Sequence, residues 1–330
     1  MSKQKESPTN IAVLIKLHES MLTIRACETA LVKLFSSGDV PGFIHLSHGQ
    51  EAVAVGVCSA LGNLDTLVTT HRGHGHVLAR GIPLDGFFKE LMGRSTGICK
   101  GRSGSMHVAD LSIGVLGANG IVGASLPIAL GSALAHQVRK TGGVAVAFFG
   151  DGAMAEGVLH ESLNMAALWQ LPMIFACENN GWSEFSPTDQ QFSGSLKGLA
   201  SAFNIKHSKV NGNDLEAVAD ASDMARAYAG SSGPIILECM TTRFRGHFEG
   251  DAQKYRAQSE IDEFDKKDPI NQLAKKLTRL GVSGELMEEM SLRVEERVSA
   301  AIDEARVAPL PEFGLALQDV YSDQGVKSYG

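Results

Sequence analysis

Two short apolar runs, VAVAFF (144–149) and MIFACEN (173–179), constrain the fold of this chain more than any other feature. Neither alternates polar with apolar residues, so each reads as a strand buried on both faces, as in a parallel sheet. Between them, residues 157–169 place Leu159, Leu163, Ala166 and Ala167 at helical spacing and end in a Leu-Pro break. The three form a β-α-β unit, whose crossover is expected to be right-handed. A third apolar run, GPIILECMTTRF (233–244), reads as another buried strand. The prediction is an α/β fold, with a mostly parallel central sheet and helices on both faces.

The flanking sequence fits that frame. Residues 11–36 carry Leu14, Leu17, Met21 and Leu22 at helical spacing and read as one long helix. A small-residue helix follows (49–61), then a short strand, DTLVTT (65–70), running into a His/Gly loop, HRGHGHVLARG (71–81). DGFFKELMGR (85–94) and GASLPIALGSALAHQVRK (123–140) read as helices. The Gly-, Ser- and Ala-rich stretch 97–120 reads as an ordered functional loop, since long structureless loops in compact domains usually serve a site. After residue 256 two charged amphipathic helices (260–277 and 284–306) are expected to cover the sheet or meet a partner. One domain over 1–330 is predicted, with a core at 11–255 and a helical extension at 256–330.

Composition narrows the function. A formal net charge of −7 with no cationic tract argues against nucleic-acid binding. No apolar stretch approaches the roughly 20 residues of a membrane span, and MSKQKESPTN lacks a secretory apolar core. A cytoplasmic protein without a membrane partner is expected. Cys27, Cys58, Cys99, Cys177 and Cys239 are scattered and odd in number, so reduced thiols are expected in place of a disulfide frame or metal cluster.

The segment GDGAMA (150–155) fits G-x-G-x-x-[GA] between a strand and a helix, which raises a dinucleotide-binding turn. Asp151 argues against it. A diphosphate would face that carboxylate, and two like charges ~4 Å apart at an effective dielectric of ~20 cost about 4 kcal/mol. The penalty reverses if a divalent cation lies between them, because hard cations bind carboxylate and phosphate oxygens. Strand ends gather at one edge of a parallel sheet, so Asn180, at the end of the next strand, would offer an amide oxygen beside Asp151. The Trp182 carbonyl could complete the protein side. Asn-Asn-Gly alone is ordinary turn chemistry; its pairing with GDG at this spacing favours the metal.

GDG, a helix and NN at this spacing resemble the fingerprint of thiamine-diphosphate (ThDP) enzymes. PGFIHLSHGQEAVAVG (41–56), HRGHGHVLARG, KGRSGSMH (100–107), GANGIVGASLPIALG (117–131), the run 150–182 and RFRGHFEGD (243–251) follow in order. Over residues 11–320 the chain is similar to the alpha subunit of the decarboxylating component of 2-oxo acid dehydrogenase complexes. GFIHL, GHGH, GANGIVGA and GHFEGDAQ look closest to acetoin dehydrogenase alpha subunits. The resemblance implies a ThDP-binding fold in which Asp151, Asn180 and the Trp182 carbonyl hold Mg2+. It implies further that Gly152 and Ala153 present backbone to the diphosphate, that Gly120 and Val122 lie against the aminopyrimidine, and that Arg72 pairs with diphosphate oxygens. Many relatives have Tyr where His71 stands, which leaves any contact by that side chain open.

His247 aligns with the active-site histidine of the resembled family, and His45 and His74 match positions on the substrate side. A histidine can trade a proton with the substrate oxygen. His18, His136 and His207 are expected to lack partners, and His71, His76, His107 and His160 to be supporting groups. Phe248 stands where mammalian pyruvate dehydrogenase alpha chains carry a regulatory serine, which excludes phosphorylation there. The loop holding Tyr255 and Arg256 is expected to order over the cofactor and meet a lipoyl domain. No segment resembles the domain that gives a glutamate to the aminopyrimidine. Either Glu51 or Glu156 serves, or a beta subunit donates it within an alpha-2 beta-2 tetramer. The implied activity is cleavage of acetoin to acetaldehyde, with transfer of the two-carbon unit to lipoamide on a dihydrolipoyl acyltransferase. The alternatives are oxidative decarboxylation of pyruvate or a branched-chain 2-oxo acid, and a non-catalytic Rossmann-like module.

Overall fold

The computed structural model describes residues 8–315, so the end of the predicted extension, 316–330, lies outside the described residues. A long helix α1 (Pro8–Ser36) is followed by α2 (Glu51–Ser59), β1 (Thr66–Thr70), α3 (His74–Arg80), α4 (Leu84–Leu91) and β2 (Val115–Asn119). Next come α5 (Ser125–Arg139), β3 (Ala145–Gly150), α6 (Gly157–Trp169) and β4 (Met173–Asn179). A two-residue hairpin, β5 (Trp182–Ser183) and β6 (Ser186–Pro187), precedes α7 (Leu196–Ala202), β7 (Lys206–Asn211), α8 (Leu215–Ser232) and β8 (Ile235–Met240). The chain then runs through α9 (Gln258–Ile261), α10 (Phe264–Lys267), α11 (Pro269–Arg279) and α12 (Gly284–Val307).

Six strands form one parallel sheet in the order β2-β1-β3-β4-β8-β7. β3 and β4 are buried nearly throughout, as their unbroken apolar runs require. Alternate residues feed two cores. Val146, Phe148, Ile174 and Leu237 join Val218, Val298 and Ile302 on one face, whereas Ala147, Phe149, Phe175 and Ile236 join Leu126, Leu159 and Leu163 on the other. α12 packs on α1 and α4, burying Met290, Val294 and Val298, so the extension is part of this chain's own core.

The structure corrects the sequence reading in four places. The stretch 71–81, read as a His/Gly loop, winds into α3 from His74 to Arg80. Residues 97–120 are not all loop: Val115–Asn119 form the edge strand β2, paired with β1 through an irregularity at Leu67/Val68. Gly117 and the polar Asn119 disguised it. The predicted helix 260–277 is three pieces, because Pro269 has no N–H to continue a helix and Asp268 caps the new start through the Ile270 and Asn271 N–H groups. β7 went unread because its residues are only partly buried at the sheet edge. All five cysteines are free, as expected, and no described helix is long and apolar enough to cross a membrane.

Candidate active site

The chain passes from β1 outward to β2 and then returns across β1 to β3, so strand order reverses between β1 and β3. In open parallel sheets a crevice opens at such a reversal, beyond the carboxyl ends of the strands. Here it is a cleft of about 980 Å3, part of it open to solvent. β1 leads into His71 and Arg72, β2 into Gly120 and Val122, β3 into Asp151, Gly152 and Ala153, and β4 into Asn180 and Trp182. His45 and His247 enter from the irregular segments before α2 and after β8. All of these line the cleft.

Asp151 is 1 % exposed at the floor, in the turn that joins β3 to α6. Its Oδ2 accepts a hydrogen bond from the Thr188 hydroxyl, and its Oδ1 is buried without a partner. Burial pushes its pKa up to about 6, against the opposing pull of Thr188. An ionised oxygen left bare in a buried place is costly unless a cation meets it. Asn180 lies beside it: its Nδ2 donates to Gln50 Oε1 (3.2 Å), and its Oδ1 accepts from the Trp182 N–H (3.1 Å) and keeps a second lone pair. The second glycine of GDG has a steric reason. A Cβ on Gly152 would meet Ser183 Oγ at 2.5 Å, so any larger residue would make the Ser183 side chain shift where the β5 hairpin closes over the turn. An oxygen-bearing carboxylate, an amide and exposed backbone at a strand end suit a hard divalent cation with a diphosphate.

Three histidines crowd the same cleft. The rings of His45 and His71 lie 4.7 Å apart, His45 and His247 5.0 Å, and His71 and His247 5.5 Å. Burial first, then the Arg72 charge, holds all three below the ordinary histidine pKa, His45 at about 3 and His247 at about 4. They are therefore neutral at pH 7, able to accept a proton. Arg72 is buried, and its own pKa falls to about 9 through burial and the nearby Arg243. Its guanidinium donates to the carbonyls of Leu46 (2.7 Å) and His247 (2.8 Å), which ties the two histidine-bearing segments together.

His74 departs from the sequence expectation. It starts α3, outside the residues that line the cleft, and is 1 % exposed. Its Nε2 pairs with Ser105 Oγ (2.8 Å), its Nδ1 is 3.3 Å from Glu28 Oε2, and its ring edge meets Phe87. It braces the 97–107 loop. Glu90 on α4 anchors the same loop by accepting from the N–H groups of Cys99 (2.7 Å), Gly101 (2.8 Å) and Ser103 (2.7 Å). His207 and His136 also have partners, contrary to expectation: His207 Nε2 with Glu238 Oε2 (2.9 Å), and His136 Nδ1 with Thr141 Oγ1 (2.7 Å). The ring nitrogens of His18 have none. Arg256 is buried against Trp182 and Phe264 and donates to the Arg243 carbonyl, so it supports the loop from within and offers no docking surface.

Neither glutamate considered from sequence reaches the cleft. Glu51 is fully buried and paired with Arg25 at 2.5 Å, and Glu156 is exposed ahead of α6. Sequence reasoning also passed over Thr188, Gln50, Ser183, Glu178 and Arg243. Arg243, Gln50 and Glu178 had a signal, since they lie in the quoted stretches RFRGHFEGD, 41–56 and 150–182; Thr188 reaches Asp151 because the hairpin folds back, which no local pattern shows.

A family model described as the dehydrogenase E1 component matches residues 19–313. The chain is 44% identical over 309 residues to the alpha subunit of acetoin:2,6-dichlorophenolindophenol oxidoreductase of Bacillus subtilis, covering 92% of each chain. It is 42% identical over 318 residues to the subunit of the same name from Cupriavidus necator, covering 95% of this chain and 96% of the relative. It is 38% identical over 320 residues to the pyruvate dehydrogenase E1 component subunit alpha of Zymomonas mobilis, covering 96% and 89%.

Proposed function

The chain belongs to the dehydrogenase E1 component family, and from that premise we propose that it is the alpha subunit of a ThDP- and Mg2+-dependent acetoin dehydrogenase. The bare Asp151 Oδ1 supports the metal, with Asn180 and the Trp182 carbonyl as its other protein ligands. Gly152 and Ala153 present backbone to the diphosphate, and the N–H groups of Arg72 not taken by carbonyls add charge-assisted donors. When bound, ThDP supplies a carbanion that adds to a carbonyl and holds the charge left as the adjacent C–C bond breaks.

The observation that carries the choice of substrate is the similarity to two acetoin:2,6-dichlorophenolindophenol oxidoreductase alpha subunits at 44% and 42% identity, against 38% for a pyruvate dehydrogenase alpha subunit, and the cluster His45, His71 and His247 suits it. Splitting acetoin requires removal of the hydroxyl proton on the carbon that departs as acetaldehyde. Loss of carbon dioxide from a 2-oxo acid requires no such base. A neutral imidazole of His247 or His45 accepts that proton and returns it later. The arginines of the cleft are poor seats for a substrate carboxylate, because Arg72 is shared between two carbonyls and the diphosphate assigned to it, and Arg243 is engaged with the Arg245 and Glu184 carbonyls and the Tyr255 hydroxyl. The two-carbon unit then passes to lipoamide on a dihydrolipoyl acyltransferase.

The relatives are alpha subunits by name, which implies a second kind of subunit. At the cleft rim Ile121 and Val122 are 72 % and 48 % exposed, apolar side chains that a partner would cover. We assign to this beta subunit the carboxylic acid facing the aminopyrimidine. The test is ThDP- and Mg2+-dependent dye reduction by this chain co-purified with its beta partner, offered acetoin, pyruvate and 3-methyl-2-oxobutanoate separately. Preference for acetoin is expected; preference for a 2-oxo acid would overturn the substrate assignment and establish the pyruvate or branched-chain alternative.

A further inference from the structure

We infer that His45, His71 and His247 form a transition-metal site within the cleft, one that Zn2+ occupies and thereby closes to substrate. The three side chains each offer a ring nitrogen, and these atoms all lie within 4.8 Å of one another. Tetrahedral zinc at 2.0–2.1 Å from imidazole nitrogen needs neighbouring ligands about 3.4 Å apart, so side-chain rotations of about an ångström would close the set. The Nδ1 atoms of His45 and His247 are buried and have no hydrogen-bond partner, and His45 as a whole is only 9 % exposed. Two buried ring nitrogens without a partner, in a cluster with a third imidazole, ask for a ligand.

The chemistry selects the ion. Three neutral imidazoles suit Zn2+, Co2+, Ni2+ or Cu2+, whereas Mg2+ prefers the oxygen set around Asp151. Three protein ligands leave a fourth position open, as in catalytic zinc sites. The guanidinia of Arg72 and Arg243 face the same cleft and oppose a cation, and Asp251, whose carboxylate accepts from the His247 N–H at 2.7 Å, works the other way. Affinity is accordingly expected to fall well short of a structural zinc site. Inhibition by the ion rests on the proposed role of these histidines toward substrate; binding does not.

The experiment titrates Co2+ into the cofactor-free full chain with its beta partner, in excess Mg2+ to saturate the Asp151 site, and then displaces it with Zn2+ under competition from a chromogenic chelator. The visible bands of a four-coordinate, nitrogen-bound Co2+ are expected at one equivalent. His71→Phe and His45→Gln should each weaken binding at least ~10-fold, as loss of a ligand does, while Asp151→Asn leaves it unchanged. Circular dichroism checks each variant's fold, and either folded variant suffices. No visible bands, or unchanged affinity in a folded variant, would overturn the site. Zn2+ should also suppress dye reduction with a midpoint matching its binding, reversed by EDTA. Binding without suppression would overturn the closure. Should the enzyme show no turnover at all, the proposed activity fails while the Co2+ titration still decides the site.

Discussion

Replacing Asp151 with Asn should have opposite effects on the metal-free and the loaded protein. Burial raises this carboxyl from 3.8 to about 6, and the group is 1 % exposed, so little solvent screening applies. A folded-state pKa above the unfolded one means the native protein holds the extra proton between those values. Stability is therefore intact below pH 3.8 and is lost as pH rises through about 6, by about 3 kcal/mol in total. Between pH 5 and pH 7.5 the loss from this group is about 1.4 kcal/mol. The amide introduced by Asp151→Asn would not titrate, but its N–H2 group would meet no acceptor where Oδ1 now stands bare, at a cost of roughly 1–3 kcal/mol. The absolute stability of the variant thus sits near that of the wild type, and the pH slope is the clean signal. Urea denaturation of the metal-free proteins at pH 5 and 7.5 should show the wild type losing about 1.4 kcal/mol more than the variant. Mg2+ with ThDP at 100 times its Kd should then stabilise the wild type by about 2.7 kcal/mol and the variant far less. Equal pH slopes, or equal gains from the cofactor, would refute the reasoning that Asp151 is a buried, unpaired carboxylate awaiting a cation.

Gly152→Ala places a Cβ 2.5 Å from Ser183 Oγ, an overpacking that should cost about 1–3 kcal/mol and weaken Mg2+-dependent ThDP binding; Ser183→Gly in the same chain should restore both, and failure of that rescue would place the cause elsewhere. Glu90→Gln turns one acceptor oxygen into a donor facing backbone N–H groups, so amide exchange at Cys99, Gly101 and Ser103 should quicken and stability fall by about 2–4 kcal/mol in a denaturant melt. With His45 at about 3 and His247 at about 4, kcat/KM of the assembled enzyme should show no acid limb at the ordinary histidine value of ~6.5, and an inflection there would mean that the trio is charged in the free enzyme. The alpha chain alone should show no turnover with any of the three substrates; measurable dye reduction by pure alpha chain would remove the need for a partner carboxylate.

The legible parts of the sequence were those in which one physical demand sets the residue types. β3 and β4 are buried on both faces and so read as unbroken apolar runs, and Asp151 between two glycines posed an electrostatic conflict with a diphosphate that pointed to a cation. Nearly every residue predicted for the site lines one cleft, because strand ends of a parallel sheet converge whatever lies between them. Legibility failed where contacts are set by chain return. Thr188 meets Asp151 across 37 positions, and His74, whose Gly-flanked context matched its cleft-lining neighbours, turns inward because it begins a helix and finds Ser105 and Glu28. β7 escaped notice since an edge strand carries polar residues on its open side.

Buried carboxylates offer a last test of which charge belongs to function. Glu28 accepts from the Ser47 N–H and hydroxyl and from His74, and these neighbours outweigh burial and hold its pKa down at about 2. Asp65 receives Val144 N–H, Gly62 N–H and the Arg226 guanidinium on its two oxygens. Glu90 is met by the loop it anchors, and Glu238 by Asn179 and His207. In each case the protein supplies the donors, so the charge is a structural tie, satisfied within the chain. Among the described residues Asp151 Oδ1 is the one fully enclosed carboxylate oxygen without a hydrogen-bond partner, and Glu178 in the same cleft meets only His76 Nε2, at 3.3 Å. A fold that pairs Glu28, Asp65, Glu90 and Glu238 so fully leaves Asp151 Oδ1 bare where strand order reverses, and an ionised oxygen in that position is costly until a cation meets it.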